Sequence, residues 1–162
     1  MTNNWTTWFD AAQQPAIDAA IGGLYARLDE AIAARRPVCR QSGRCCKFDS
    51  FGHRLYVTGL EIARFVAKAP QAPAEMRGQT SLELFRGDAC VYQVDGLCSV
   101  HAIRPLGCRV FFCEAGTEAW QQDVYESCMA ELRALHERHA LPYAYMEWRA
   151  GLSEAMQCMP RG

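Results

Sequence analysis

The chain has 162 residues, half of them apolar and 10% aromatic, which suits one compact domain with its own core. A formal net charge of −1 excludes a global pull toward nucleic acid or an acidic membrane surface. Nine cysteines are far above ordinary usage, and their odd number argues against a closed disulfide framework.

The opening, MTNNWTTWFDAAQQP, carries neither a basic start nor an apolar leader. No stretch approaches the roughly 18 consecutive apolar residues of a membrane helix. The expectation is a cytoplasmic chain with no membrane partner and no nucleic-acid partner. A helix is predicted over 14–36, where Ile17, Ile21, Leu24, Tyr25, Leu28 and Ile32 recur at helical spacing between Pro15 and Pro37. CRQSGRCC, residues 39–46, then reads as a loop around Gly43. In DSFGHRLYVTG, Phe51, His53, Leu55 and Val57 alternate with Gly52, Arg54 and Tyr56, a strand pattern. Thr58 and Glu61 form a capping box that opens a short helix through Ile62, Phe65 and Val66, ending at Pro70. APQAPAEMRGQTS reads as a surface loop.

Asp95-Gly96, between two β-prone runs, predicts a hairpin in CVYQVDGLCSV. An ideal two-residue turn sets Cys98 opposite Gln93 and points Cys90 to the other face, so both ligate only if Cys90 precedes the strand or a bulge intervenes. HAIRPLGCRVFFC is a compact turn region. Helices are predicted over 117–157: a long one from about Thr117 to Ala140 with Trp120, Val124, Cys128, Leu132 and Leu135 on one face, and a last one opened by Pro142 and running through Tyr145, Met146 and Leu152. The expected fold is one domain, 1–162, α+β but mostly α. Its helices pack around a short β-hairpin and a cysteine-rich metal centre, with 39–113 as the metal-binding core.

Cys158, near the end of the last helix, reads as a packing residue. Cys39, Cys45, Cys46, Cys90, Cys98, Cys108, Cys113 and Cys128 remain, enough for two all-thiolate tetrahedral sites or one polynuclear cluster. Thiolates are soft donors that select zinc, cuprous copper or iron–sulfur clusters over magnesium or calcium. Four sulfurs must then converge at about 2.3 Å from a zinc ion, which loops, hairpin ends and tight turns achieve more readily than one helix. No C-x2-C pair occurs, which sets the chain apart from common zinc fingers and ferredoxins. The adjacent side chains of Cys45 and Cys46 diverge, so they serve different metal ions or opposite sides of one cluster.

CRQSGRCC followed by CVYQVDGLCSVHAIRPLGCRVFFC resembles the YkgJ-type cysteine-cluster family, also described as a zinc- or iron-chelating, Fe–S-cluster-containing domain. That pattern opens C-x2-C-x2-C-C, continues with two cysteines around a polar turn, and closes with R-P-x-x-C-R and a further cysteine. The resemblance runs from about Cys39 to Cys113 and implies metal binding by Cys39, Cys45, Cys46, Cys90, Cys98, Cys108 and Cys113. Ser42 stands where the family's second cysteine is usual. Serine is a poor zinc or iron ligand at neutral pH, so one site draws on Cys128 or stays open.

Arg104 and Arg109 flank the Cys108 turn; they either offset the negative charge of a thiolate cluster or tie the turn to backbone carbonyls. His101 and His53 read more readily as packed or surface residues than as ligands, and His136 and His139 as a solvated face. Phe48, Phe51, Tyr92, Phe111 and Phe112 would exclude water from a cluster, and serve a small core equally well. No phosphate loop, nucleophile elbow or carboxylate pair is visible, so any catalysis runs through the metal. The expected role is metal binding as zinc, iron or an iron–sulfur cluster, in redox or electron transfer with a protein redox partner. The alternatives are a structural zinc adaptor and a metal-dependent enzyme with an open coordination position.

Overall fold

The computed structural model describes residues 4–36, 46–47, 54–69, 89–110, 112 and 114–159. Described in chain order are α1 (Trp5–Ala12), α2 (Pro15–Arg35), β1 (Tyr56–Thr58), α3 (Gly59–Lys68), β2 (Gln93–Val94), β3 (Leu97–Cys98), a 3₁₀ turn (His101–Ile103), α4 (Leu106–Val110), α5 (Glu118–Arg138), β4 (Tyr145–Glu147) and α6 (Trp148–Cys158). The architecture is α+β and mostly helical. All of the predicted loop over 69–81 except Ala69, and the strand residues 51–53, lie outside the described residues.

α2 forms where its periodicity places it. Pro15 sits in its first turn, and Ile17, Ile21, Leu24, Tyr25 and Leu28 are buried. Arg36 ends it in the left-handed region with φ 51°. α3 carries both halves of the predicted capping box: Glu61 N donates to Thr58 Oγ1, and Thr58 N donates to the Glu61 carboxylate. α5 buries Cys128, Met129, Leu132, Leu135 and His136.

α1 was not among the predicted elements. Trp5, Trp8 and Phe9 face inward, and α1 packs against α3, while α2 packs against α5. The contact of α1 with α3 is close: a Cβ built on Gly59 would lie 2.5 Å from the Trp8 ring.

Two two-stranded antiparallel sheets occur among the described residues. The predicted hairpin pairs Gln93 with Cys98 and Val94 with Leu97. Asp95 and Gly96 turn it with φ 50° and 79°, as a type I′ turn requires. The second sheet pairs β1 with β4, Val57 opposite Met146 and Thr58 opposite Tyr145. This corrects the expected last helix: Tyr145 and Met146 are strand residues, and the helix begins at Trp148. The partner strand lies some ninety residues upstream, a non-local pairing that helical spacing alone does not reveal. Within β1 the predicted alternation holds, with Tyr56 outward and Val57 inward.

Candidate metal centre

Three of the eight candidate ligands, Cys39, Cys45 and Cys113, lie outside the described residues, as do His53, Phe48, Phe51 and Phe111. The other five fall into two groups. Cys46, Cys90, Cys98 and Cys108 belong to the loop, hairpin and turn, and each is half-buried. Cys128 is buried in the core on α5, and burial pushes its thiol pKa up, with the Glu131 charge adding to the effect.

The hairpin meets the geometric condition for two ligands. Cys90 precedes β2 and is joined to it by a turn in which Gln93 N donates to Cys90 O at 2.9 Å. Cys90 is therefore released from the alternation that would set it on the face opposite Cys98. Ser99 closes the hairpin base, its N–H and hydroxyl both donating to Tyr92 O, at 2.9 and 2.6 Å.

The end of the first cysteine segment docks on this hairpin. Cys90 N donates to Cys46 O at 2.7 Å, and Lys47 forms an antiparallel bridge with Ala89. A side-chain hydrogen bond from Cys46 pulls the Cys98 thiol down to about 6, with a backbone N–H at Val100 and the Arg104 charge acting in the same direction against burial. The Cys46 and Cys98 sulfurs, 52 residues apart in sequence, are thus neighbours. Trp148 Nε1 donates to Cys90 Sγ at 3.5 Å.

Cys108 sits in α4, whose first turn is set by Pro105: Cys108 N donates to Pro105 O at 3.1 Å. Arg104 ties the turn to backbone carbonyls, as one of its two readings has it. Its side chain donates to His101 O at 2.9 Å and to Cys108 O at 3.1 Å, and its charge favours the Cys98 thiolate. Arg109 is a structural tie. Its buried guanidinium donates to Arg104 O, Ala102 O and Asp29 Oδ2, each at 2.7 Å, and stands 4.4 Å from the Tyr25 ring centroid.

Glu61 holds the turn from the other side. Its side chain is 2% exposed; Oε1 accepts from Tyr25 Oη at 2.7 Å and from Leu106 N at 3.0 Å, and Oε2 accepts from Thr58 N and Oγ1. One carboxylate thus joins α2, the start of α3 and the residue two positions before Cys108. The sequence marked Glu61 only as half of a capping box. Gln121 on α5 clasps the backbone next to Cys113: its side chain accepts from Phe112 N and donates to Phe112 O, both at 3.2 Å.

Among the neighbours, His101 is exposed on the 3₁₀ turn. His136 departs from the solvated reading: it is 1% exposed, its Nδ1 bonds Pro142 O at 2.9 Å, and its ring packs edge-on against Tyr143. The connection from α5 to β4 folds back over it. Tyr92 lies in the core, edge-on to Phe65 at 5.0 Å.

Among the described residues, no group of three or more Cys, His, Asp or Glu side chains is arranged to hold a metal ion. No helix among them is long and apolar enough to cross a membrane. Comparison of the chain with protein-family models, curated proteins and solved structures gave no match.

Proposed function

We propose that the chain is a metal-binding cysteine-cluster protein that holds zinc, iron or an iron–sulfur cluster through thiolates. The donors are Cys46, Cys90, Cys98 and Cys108, with Cys39, Cys45 and Cys113 from the same segments. Cys128 is the reserve donor for the place that Ser42 occupies in the resembled pattern. The observation that carries this reading is the meeting of Cys46 with the hairpin: its carbonyl accepts from Cys90 N at 2.7 Å, and its side chain is near enough to Cys98 to lower that thiol's pKa. Cys46 meets Cys90 and Cys98 from a distant segment of the sequence, and thiols are the donors that a thiophilic metal takes.

Arg104 lowers the cost of gathering negative sulfurs there, while Glu61 and Arg109 hold the Cys108 turn rigidly against α2. A redox or electron-transfer role with a protein redox partner follows if the metal is an iron–sulfur cluster; a structural adaptor role follows if it is zinc. Metal analysis and visible absorption of anaerobically purified protein test the proposal. The expected result is tightly held zinc or iron, with brown colour marking a cluster. Protein that is fully folded and contains neither metal after anaerobic purification contradicts it.

A further inference from the structure

Trp148 is 2% exposed, and a buried indole N–H must find an acceptor. Its backbone N–H is already committed to Leu55 O at 2.8 Å. The ring is fixed at the start of α6, edge-on to Phe65 at 4.9 Å, and the indole N–H is directed at Cys90 Sγ. A neutral thiol is a weak acceptor, whereas a metal-bound thiolate is a much better one. The donor is therefore placed where it gains most when Cys90 carries a metal.

We infer that Trp148 is a positioning and tuning residue of the metal centre, its indole N–H fixing the Cys90 sulfur and drawing electron density from it. This rests on the metal-binding reading above. An N–H bonded to a ligating sulfur lowers the energy of the sulfur lone pairs. Sulfur-to-metal charge transfer then costs more energy, and removing the N–H moves that absorption to longer wavelength.

The probe is cobalt(II) alone, added anaerobically to the metal-free full-length protein. Trp148→Phe removes the N–H but also leaves a gap in the core. A second variant carries β-(3-benzothienyl)alanine at position 148, which keeps the ring shape and replaces N–H with sulfur. The expected result is a sulfur-to-cobalt band in the parent protein that moves to longer wavelength in both variants. If Trp148→Phe does not fold, the isosteric variant decides. A shift in neither, or in the phenylalanine variant only, leaves Trp148 as a packing residue and overturns the inference while the metal reading stands. No sulfur-to-cobalt band in the parent protein overturns both.

Discussion

At Cys98 the local sequence and the distant contacts agree. The Asp95-Gly96 turn fixes it opposite Gln93, and Cys46, whose carbonyl accepts from Cys90 N, brings a second sulfur near it. Replacing Cys46, Cys98 or Cys108 with serine is expected to reduce bound metal to well under half of the parent content, because a hydroxyl is a poor substitute for a thiolate. Cys158→Ser is expected to leave metal content unchanged, and elemental analysis of the purified variants checks both. Retention of full metal by all three of the first set, or its loss from Cys158→Ser, would show that the ligand set is wrong. Glu61 makes a different prediction. Glu61→Leu leaves the Tyr25 hydroxyl, Thr58 N–H and Leu106 N–H without their buried acceptor, at a cost of about 1–3 kcal/mol for each unsatisfied group. Urea unfolding should show a loss of several kcal/mol, and a loss below about 1 kcal/mol would mean that water or a rearranged turn satisfies these groups. The capping box made Glu61 visible in the sequence, but its bond to Leu106 spans 45 residues and left no local trace.

The elements read correctly were those whose signals are local. α2 follows from a 3.6-residue period, α3 from its cap, and the hairpin from its turn. α1 does show Trp5, Trp8, Phe9 and Ala12 at i, i+3, i+4 and i+7, but it is short and follows a polar start. β4 has no turn beside it; its pairing with β1 is a tertiary contact. The same return of the chain buries His136, whose helical position alone suggested solvent. Pro142 O can only accept, so His136 Nδ1 carries the proton, and Nε2 has no hydrogen-bond partner among the described residues. Burial holds its pKa below the ordinary value near 6.5. As pH falls below that value the unfolded chain takes up a proton that the folded protein resists, so this contribution to stability is present above about 6.5 and is lost as pH falls toward the depressed folded value. Thermal melts between pH 7.5 and 5 should show a decline that His136→Gln reduces, and an identical decline in the variant would assign it to other groups.

At the scale of the molecule, the hairpin and turn share the helices' core among the described residues: Val91, Tyr92, Val100 and Leu106 are part of it, and Cys90 and Cys98 pack against it. Trp5, Trp8, Phe9, Ile17, Ile21, Leu24 and Leu132 belong to a core built largely by α1, α2, α3 and α5. The hairpin has two residue pairs, and Cys46 and Lys47 meet the residues before it through backbone bonds to Cys90 and Ala89. Structural zinc contributes about 10–16 kcal/mol of apparent binding energy in small peptides that lack such a core. Chelation is therefore expected to lower the melting temperature here while far-UV circular dichroism keeps most of its helical signal. An unchanged melt after verified metal removal would exclude a structural role for the metal. The mostly helical α+β class was legible because it is a sum of local signals; the docking of Cys46 on the hairpin beside Cys90 and Cys98 was not, since sequence gives spacing and only the fold gives distance. X-ray absorption at the edge of the metal, on anaerobically purified protein, tests the proposed thiolate centre most directly. A first shell of sulfur, at about 2.3 Å for zinc, is the predicted result, and a shell of oxygen and nitrogen at about 2.0–2.2 Å would contradict it.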